Sequence, residues 1–500
     1  MSFRATFLVV VGVTLIGQLA ALGFEMAAAA RFGTGLDADA LAFALTVVLA
    51  LTTEVVGWIS TLFVPLYVET RATSASAAAA FLRRVLTALV IVVGAGAVIL
   101  TLGAGAIIGA LAPALGPRGV AVVRAFAPLV ALIPLAGLFG ATLHAQGRFV
   151  AASLRQLAWY GGGLAGIVGF GAVLGAVAAP LGMLAGVVAF TALLAVPVLR
   201  DTNASTGGEG PTLRVLARRL VPLAVLSACV ALNVAVERGL AARLPAGSLA
   251  ALTYAYRLLH FPLALFVVNA TAMLLPVLAG HAVRGEAAAL DALAHRALRI
   301  TVIFAVPFAT LGAALAEPMT QVLLERGAFT SESTAATATA IAWYAPGVVA
   351  MALTQVLFRA FQALHALWRL ALTVGAGLVL NVLLMPVLTA FFGFRGLALA
   401  SSISAFVAVA LMVVALRDRV PALGAVLASR VTAAVVVAGV AGGIAAALAR
   451  GFAGDGAVSR LLTGGVAGIA VYAGLLAALA PAEARAALAA VAPAWSGRGA

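Results

Sequence analysis

Apolar residues run through this chain in blocks of about twenty, separated by short polar or charged breaks, from one end to the other. An α-helix rises about 1.5 Å per residue, so a block of this length crosses the ~30 Å hydrocarbon layer of a bilayer. Reading for apolar runs broken by charge, Gly/Pro and polar clusters predicts about fourteen spans. Six lie in the first half: Phe7–Ala30, Leu41–Leu62, Val85–Leu111, Val120–Leu143, Ala151–Val177 and Ala179–Leu199. After a polar linker, Arg200 to Arg219, come Leu220–Val236, Leu249–Leu278, Ile300–Leu324, Ala335–Phe358, Leu370–Phe391, Gly396–Leu416, Val431–Leu448 and Leu461–Leu479. The first run reads as a span and not as a cleaved signal peptide, because it exceeds the usual apolar core and many spans follow.

Composition closes the soluble alternative. Hydrophobic residues make up 64% of the 500 and charged residues 9%, too little polar surface to cover a water-soluble core. The formal charge of +14 would suggest nucleic acid on a soluble chain. Here all 30 basic residues are arginines scattered singly between apolar runs, so no nucleic-acid partner is expected. They report topology instead. With the N-terminus inside and fourteen spans, 20 arginines fall in inside segments, nine outside, and Arg257 within a span. That bias predicts cytoplasmic N- and C-termini. Cys229 is the single cysteine, which excludes an intramolecular disulfide and argues against a metal site. The five histidines are dispersed, and no nucleophile elbow, phosphate loop or His/Cys cluster is present. Transport, not enzymatic chemistry, is the expected class.

A repeat organises the spans. Leu143-His144-Ala145-Gln146-Gly147-Arg148 recurs as Leu364-His365-Ala366-Leu367-Trp368-Arg369, and Leu62-Phe63-Val64-Pro65 as Met273-Leu274-Leu275-Pro276. The copies follow the fourth and tenth, and the second and eighth, spans. Six intervening spans give both halves the same orientation, a parallel repeat as in some transporters. The expected architecture is an all-α polytopic membrane protein with two parallel-repeat six-helix lobes and two C-terminal helices. Its divisions are 1–199 (N-lobe), 200–219 (cytoplasmic linker), 220–417 (C-lobe) and 418–500 (two extra helices and tail).

Ionisable residues inside spans are the candidates for function, because each is costly in lipid. Arg257 stands several residues into the eighth span, where an arginine costs about 2.5–3.5 kcal/mol on insertion scales. It snorkels to the interface or binds an anionic substrate, phosphate being the natural match to a guanidinium fork. Glu25 lies late in the first span and Glu54 in the middle of the second, beside Thr52 and Thr53. Each carboxylate is a candidate to pair with Arg257 or to bind a proton or sodium ion, and Glu25 also sits within reach of the outer interface. Gln18, Asn233, Asn269, Gln355 and Asn381 read first as interhelical hydrogen-bond partners.

Several of these positions fall in words shared with a known family. Ala30-Arg31-Phe32-Gly33-Thr34-Gly35-Leu36-Asp37-Ala38-Asp39-Ala40, Phe63-Val64-Pro65, Tyr254-Ala255-Tyr256-Arg257-Leu258 with Phe261-Pro262, Leu274-Leu275-Pro276, Arg326-Gly327-Ala328-Phe329-Thr330 and Arg359-Ala360-Phe361-Gln362-Ala363-Leu364 occur in that order. Together they resemble the MurJ/MviN lipid II flippases of the multidrug/oligosaccharidyl-lipid/polysaccharide exporter superfamily. The resemblance implies two six-helix lobes, a groove for a polyprenyl tail at the two extra helices, and a bacterial cytoplasmic (inner) membrane location. It implies transfer of undecaprenyl-pyrophosphate-linked peptidoglycan precursor from inner to outer leaflet by alternating access. Arg257 falls on the family's cavity arginine, and Arg31 and Asp39 fall in its loop after the first span, where a gating role is implied. Gln18 and Phe24 stand where first-span arginines are usual; Glu25 keeps the acidic residue that follows them. The second-span arginine is replaced within Leu51-Thr52-Thr53-Glu54.

The expected partners are the lipid-linked oligosaccharide, membrane lipid and cell-wall synthesis proteins, with no bound cofactor. Two coupling sources stay open, the membrane potential and a monovalent ion. An anion moving outward from a negative interior gains about 2.3 kcal/mol per charge per 100 mV. Three other readings stand beside the flippase: a carrier of another polyprenyl-linked glycan, a drug antiporter of the same superfamily, and a non-transporting scaffold or regulator of wall synthesis.

Overall fold

The structure is a computed structural model describing residues 3–146, 148–203, 211–263, 269–454 and 456–485. Gly147 of the first repeated word, the centre of the expected linker (204–210), five residues of the eighth span (264–268) and the tail with Arg498 lie outside the described residues.

The apolar blocks fold as helices: α1 Phe3–Phe32, α2 Leu36–Trp58, α3 Val64–Thr73, α4 Ala75–Leu111, α5 Gly116–Ala145, the short α6 Phe149–Ser153, α7 Gly162–Leu174, α8 Ala178–Asn203 and α9 Leu213–Ala241. They continue as α10 Ser248–Leu263, α11 Asn269–Val283, α12 Ala287–Ala314, α13 Ala316–Leu324, α14 Ser331–Ala363, α15 Leu367–Phe392, α16 Phe394–Leu416, the short α17 Ala422–Leu427, α18 Arg430–Phe452 and α19 Ala457–Leu479. Among the described residues eleven helical stretches are long and apolar enough to cross a bilayer. One of them, Leu157–Thr202, holds both α7 and α8, which part at Gly175 with φ +56°. With α9 and the α10–α11 pair, the helices are consistent with fourteen crossings.

Three expected boundaries move for local reasons. The second span does not stop at Leu62, but runs on through a widened π turn, Ile59–Phe63, into α3. Pro65 lacks the N–H that would bond the preceding turn, and its ring crowds the carbonyl behind it, which favours such a turn. The fifth span is not one helix from Ala151; α6, a π turn at Leu157–Gly161 and α7 share it. The linker shortens, because α8 continues to Asn203 and α9 begins at Leu213.

Packing separates two compact units, one of residues 1–250 with Arg326–Thr330, the other of 251–325 with 331–500. In the first, Phe63 stacks on Tyr67 and Phe81 at 5.2 and 5.5 Å between ring centroids, beside Leu138, Phe190 and Leu194. Helix α9, expected to open the second repeat, packs in this unit against α2 and α4. In the second unit Leu298, Val306, Leu353, Phe361, Met412 and Leu476 form the core, and Tyr472 Oη donates to the Ile303 carbonyl at 2.6 Å.

Close helix crossings rest on glycine. A Cβ added at Gly182 would lie 2.2 Å from Gly162 O, and one at Gly186 would lie 2.0 Å from Ala158 O. Helices α7 and α8 therefore touch backbone to backbone, the small-residue contact that lipid, offering no hydrophobic drive of its own, requires. Helices α18 and α19 meet the same way: a Cβ added at Gly442 or at Gly468 would lie 2.8 Å from the other's carbonyl oxygen.

The repeated Leu-His-Ala word closes a helix in both copies. Arg148 N donates to Leu143 O after α5, and Ala366 N to Phe361 O after α14, each at 2.9 Å. These are six-to-one helix-ending bonds, but the second falls three positions earlier in the word and places His365 at φ +52°.

Candidate functional site

Helix α10 carries a polar stripe in an otherwise apolar span. Thr253, Tyr256, Arg257 and His260 recur at helical spacing on one face. Thr253 is buried and Arg257 half-buried. The Tyr256 ring stacks on His260 at 3.6 Å between centroids and meets Tyr344 of α14 edge-on at 6.1 Å. His260 Nδ1 lies 2.8 Å from the Tyr256 carbonyl oxygen. Such a stripe is stable in a membrane only against protein or water, so Arg257 marks a face turned away from lipid.

On α1, Gln18 and Glu25 are one heptad apart and share a face; Gln18 is half-buried and Glu25 buried. The neighbouring stripe is packing. Phe24, 1% exposed, lies 5.7 Å from the Tyr160 ring, and a Cβ at Gly163 would come within 3.0 Å of it. Phe24 is thereby closed into the α1–α7 contact.

Glu54 is held within its own unit. Its Oε2 accepts from Ser227 Oγ at 2.5 Å, and Ser227 Oγ in turn accepts from Trp58 Nε1 at 3.2 Å. Glu54, Ser227 and Trp58 thus form a hydrogen-bonded chain, because α9 packs on α2 and presents a buried hydroxyl. Thr52 takes no part in it, returning its hydroxyl to Val48 O at 2.8 Å, and Thr53 is exposed. Ser227→Ala should weaken the α2–α9 contact by about 1 kcal/mol, since it leaves a half-buried carboxylate short of a donor. Thermal unfolding in detergent measures this, and Glu54→Gln, which can still accept from Ser227, should cost less.

Asp39 is not a loop residue, in contrast to the family reading. It sits in the first turn of α2, 5% exposed. Its two oxygens accept from Gly247 N at 2.8 Å and Ala250 N at 2.7 Å, capping the start of α10 from another helix. Three loop segments braid around it. Ala328 N donates to Ala30 O at 2.8 Å. Gly33, Gly247 and Gly327 all adopt positive φ, and a Cβ on any of them would come within 2.3 Å of a backbone oxygen across the junction. Two of the family words, Ala30–Gly35 and Arg326–Thr330, thus meet in space. Arg31 is exposed, its stem beside Gly171, and it does not join the braid.

The second unit contains an apolar cleft of about 550 Å³ between α12, α14, α16 and the start of α18, lined by Val306, Thr310, Pro346, Leu353, Phe406 and Val436 among others.

Apolar spans, carboxylates and an arginine held inside them, and an apolar cleft within one unit define a polytopic helical membrane transporter. The family model for the lipid II flippase MurJ matches residues 28–467. A probable lipid II flippase MurJ of Rhizobium meliloti is 28% identical over 438 residues, covering 81% of this chain and 79% of that protein. The lipid II flippase MurJ of Burkholderia cenocepacia is 31% identical over 209 residues, 41% of this chain and 40% of that one. Among solved structures, lipid II flippase MurJ in an inward closed conformation superposes with a TM-score of 0.79 at 18% identity, covering 94% of this chain and 98% of that one. An inward-facing multidrug-resistance MATE transporter gives 0.69 at 14% identity, covering 84% and 99%. The chain belongs to the lipid II flippase MurJ family.

Proposed function

We propose that this protein moves lipid II from the inner to the outer leaflet of a bacterial cytoplasmic membrane by alternating access, with both termini cytoplasmic. The observation that carries the reading is the family match across nearly the whole chain, together with Arg257 on the polar stripe of α10. A guanidinium offers five donors in a fork that suits a pyrophosphate. The apolar cleft bordering α18 suits a polyprenyl chain, because a tail lying there exchanges lipid contacts for equally apolar walls. Gln18 and Glu25 face together from α1 as candidate cargo contacts. Asp39 works as the cap that holds the first turn of α10.

One feature favours a second reading. The family resemblance implies first-span arginines where this chain has Gln18 and Phe24, and a diphosphate with fewer cations is bound more weakly. A different polyprenyl-linked glycan as cargo fits that loss.

The test is rescue of a bacterium depleted of its own lipid II flippase. The wild type should restore growth, and Arg257→Ala should fail at equal membrane abundance. Losing a charge-assisted bond to a buried phosphate costs about 1.5–3 kcal/mol, roughly 10- to 100-fold in affinity. Rescue by Arg257→Ala would remove Arg257 from the cargo site, and failure of the wild type despite insertion would favour the other glycan.

A further inference from the structure

Arg155 counts among the inside arginines by sequence, but packing sets it deeper. It stands between α6 and the π turn of the fifth span, where that span runs alongside α1. A Cβ added at Gly17 would lie 2.9 Å from Gln156 Cβ, and one at Gly23 would lie 3.3 Å from Leu164 Cδ2. Further along, Phe24 meets Tyr160 at 5.7 Å, and a Cβ at Gly171 would lie 3.6 Å from Arg31 Cγ. The contacts ascend together, so the two helices run parallel. Gly17 is about 15 Å of helix rise from Phe7 and about 20 Å from Ala30, the ends of the apolar run in α1. Gln156 shares that level, and Arg155 adjoins it, well inside the hydrocarbon layer.

Helix geometry fixes the side to which Arg155 points. Successive residues turn by about 100°. On α1, Gln18 stands one step ahead of the contact residue Gly17, and Glu25 one step ahead of the contact residue Phe24. On the fifth span, Arg155 stands one step behind the contact residue Gln156. In two parallel right-handed helices packed face to face, a step forward on one and a step back on the other point to the same side. Arg155 therefore joins Gln18 and Glu25 on one polar face. The widened turn Leu157–Gly161 also brings Tyr160 within electrostatic reach of Arg155. Glu25 lies about 13 Å farther along the helix axis, too far to pair with Arg155. Arg155 is exposed and Gln18 half-buried, and an exposed guanidinium at this depth is stable only in a hydrated cavity.

We propose that Arg155 is a phosphate-binding residue of the first unit, contacting the diphosphate of a polyprenyl-linked cargo from the face it shares with Gln18 and Glu25. This rests on the flippase reading and adds to it a cation that lies outside the shared family words. The guanidinium fork donates to two phosphate oxygens at once.

Native mass spectrometry of the purified full chain, with undecaprenyl diphosphate as the probe, reads the contact. Arg155→Gln should bind about 10- to 100-fold more weakly than wild type, the worth of a charge-assisted bond. Arg155→Lys, which keeps the charge and loses the fork, should fall between them. Gln18→Arg in the Arg155→Gln background returns a cation to the same face and should recover most of the affinity. Arg369→Gln, at an exposed ion pair with Asp418, should change nothing. Equal affinity of Arg155→Gln and wild type would overturn the proposal and leave the flippase reading standing. So would displacement of the probe from wild type by equimolar phosphatidylglycerol or inorganic pyrophosphate, which would mark a general anion site. No recovery by Gln18→Arg, with Arg155→Lys as weak as Arg155→Gln, would make Arg155 structural and also overturn it. If wild type neither binds the probe nor rescues the flippase-depleted strain, the flippase reading itself falls, and the role of Arg155 with it.

Discussion

Gly182→Val should abolish accumulation of folded protein in the membrane, while Gly169→Ala on the facing helix should leave it unchanged. The first places a branched side chain where even a Cβ would lie 2.2 Å from Gly162 O and 2.8 Å from Gly166 Cα. Neither obstacle is a flexible side chain, so α7 and α8 must separate. Separation also opens the contacts of Gly162, Gly166 and Gly186, each within 2.4 Å of a carbonyl oxygen by the same measure. The loss is expected to exceed the 4–5 kcal/mol that marks exceptional substitutions, because one helix pair loses its whole interface. Gly169 has nothing within 4 Å of its added Cβ, and alanine there gains up to about 1 kcal/mol of helix propensity. Membrane abundance and size-exclusion profile distinguish the two. A well-folded Gly182→Val protein would refute the crossing.

Asp39→Ala should be the most damaging polar substitution. The carboxylate is buried and is the acceptor for two backbone N–H groups at the start of α10. Hydrogen bonds to a charged group contribute about 1.5–3 kcal/mol each, and alanine leaves both donors buried without that partner. A loss of about 3–5 kcal/mol follows. Asp39→Asn keeps one carbonyl acceptor and should fall between alanine and wild type. Unfolding midpoints in detergent give the ranking, and rescue of the flippase-depleted strain should follow it. Equal midpoints for Asp39→Ala and wild type would remove the cap from the account.

Much of this protein is legible in one dimension. Apolar length predicts a crossing wherever it reaches about twenty residues, since nothing but helix satisfies the backbone in lipid. The arginines predict which ends stay inside, and the ordered words predict the family. Where the reading fell short, the cause is local. The π turn before Pro65 and the one at Leu157–Gly161 lie inside unbroken apolar runs, and hydropathy cannot register a change of helix pitch. Asp39 lies ahead of the apolar run that starts at Leu41 and the resemblance implied a loop there, but Leu36 already begins α2.

Partnership is the other half. Ser227 is 173 positions from Glu54, and Gly247 is 208 from Asp39. Sequence by itself determined that these chains of helices cross a membrane, which groups are too polar to face lipid, and the family to which they belong. Those properties follow from length, charge and word order, each readable without knowing any neighbour. Only the tertiary structure decided that Glu54 answers to a serine, that Asp39 caps a helix it does not belong to, and that Phe24 is sealed into a helix contact. In lipid nearly every helix face is apolar, so periodicity does not say which face meets which helix. Close backbone approach and hydrogen bonds make that choice, and they act between residues that are distant along the chain.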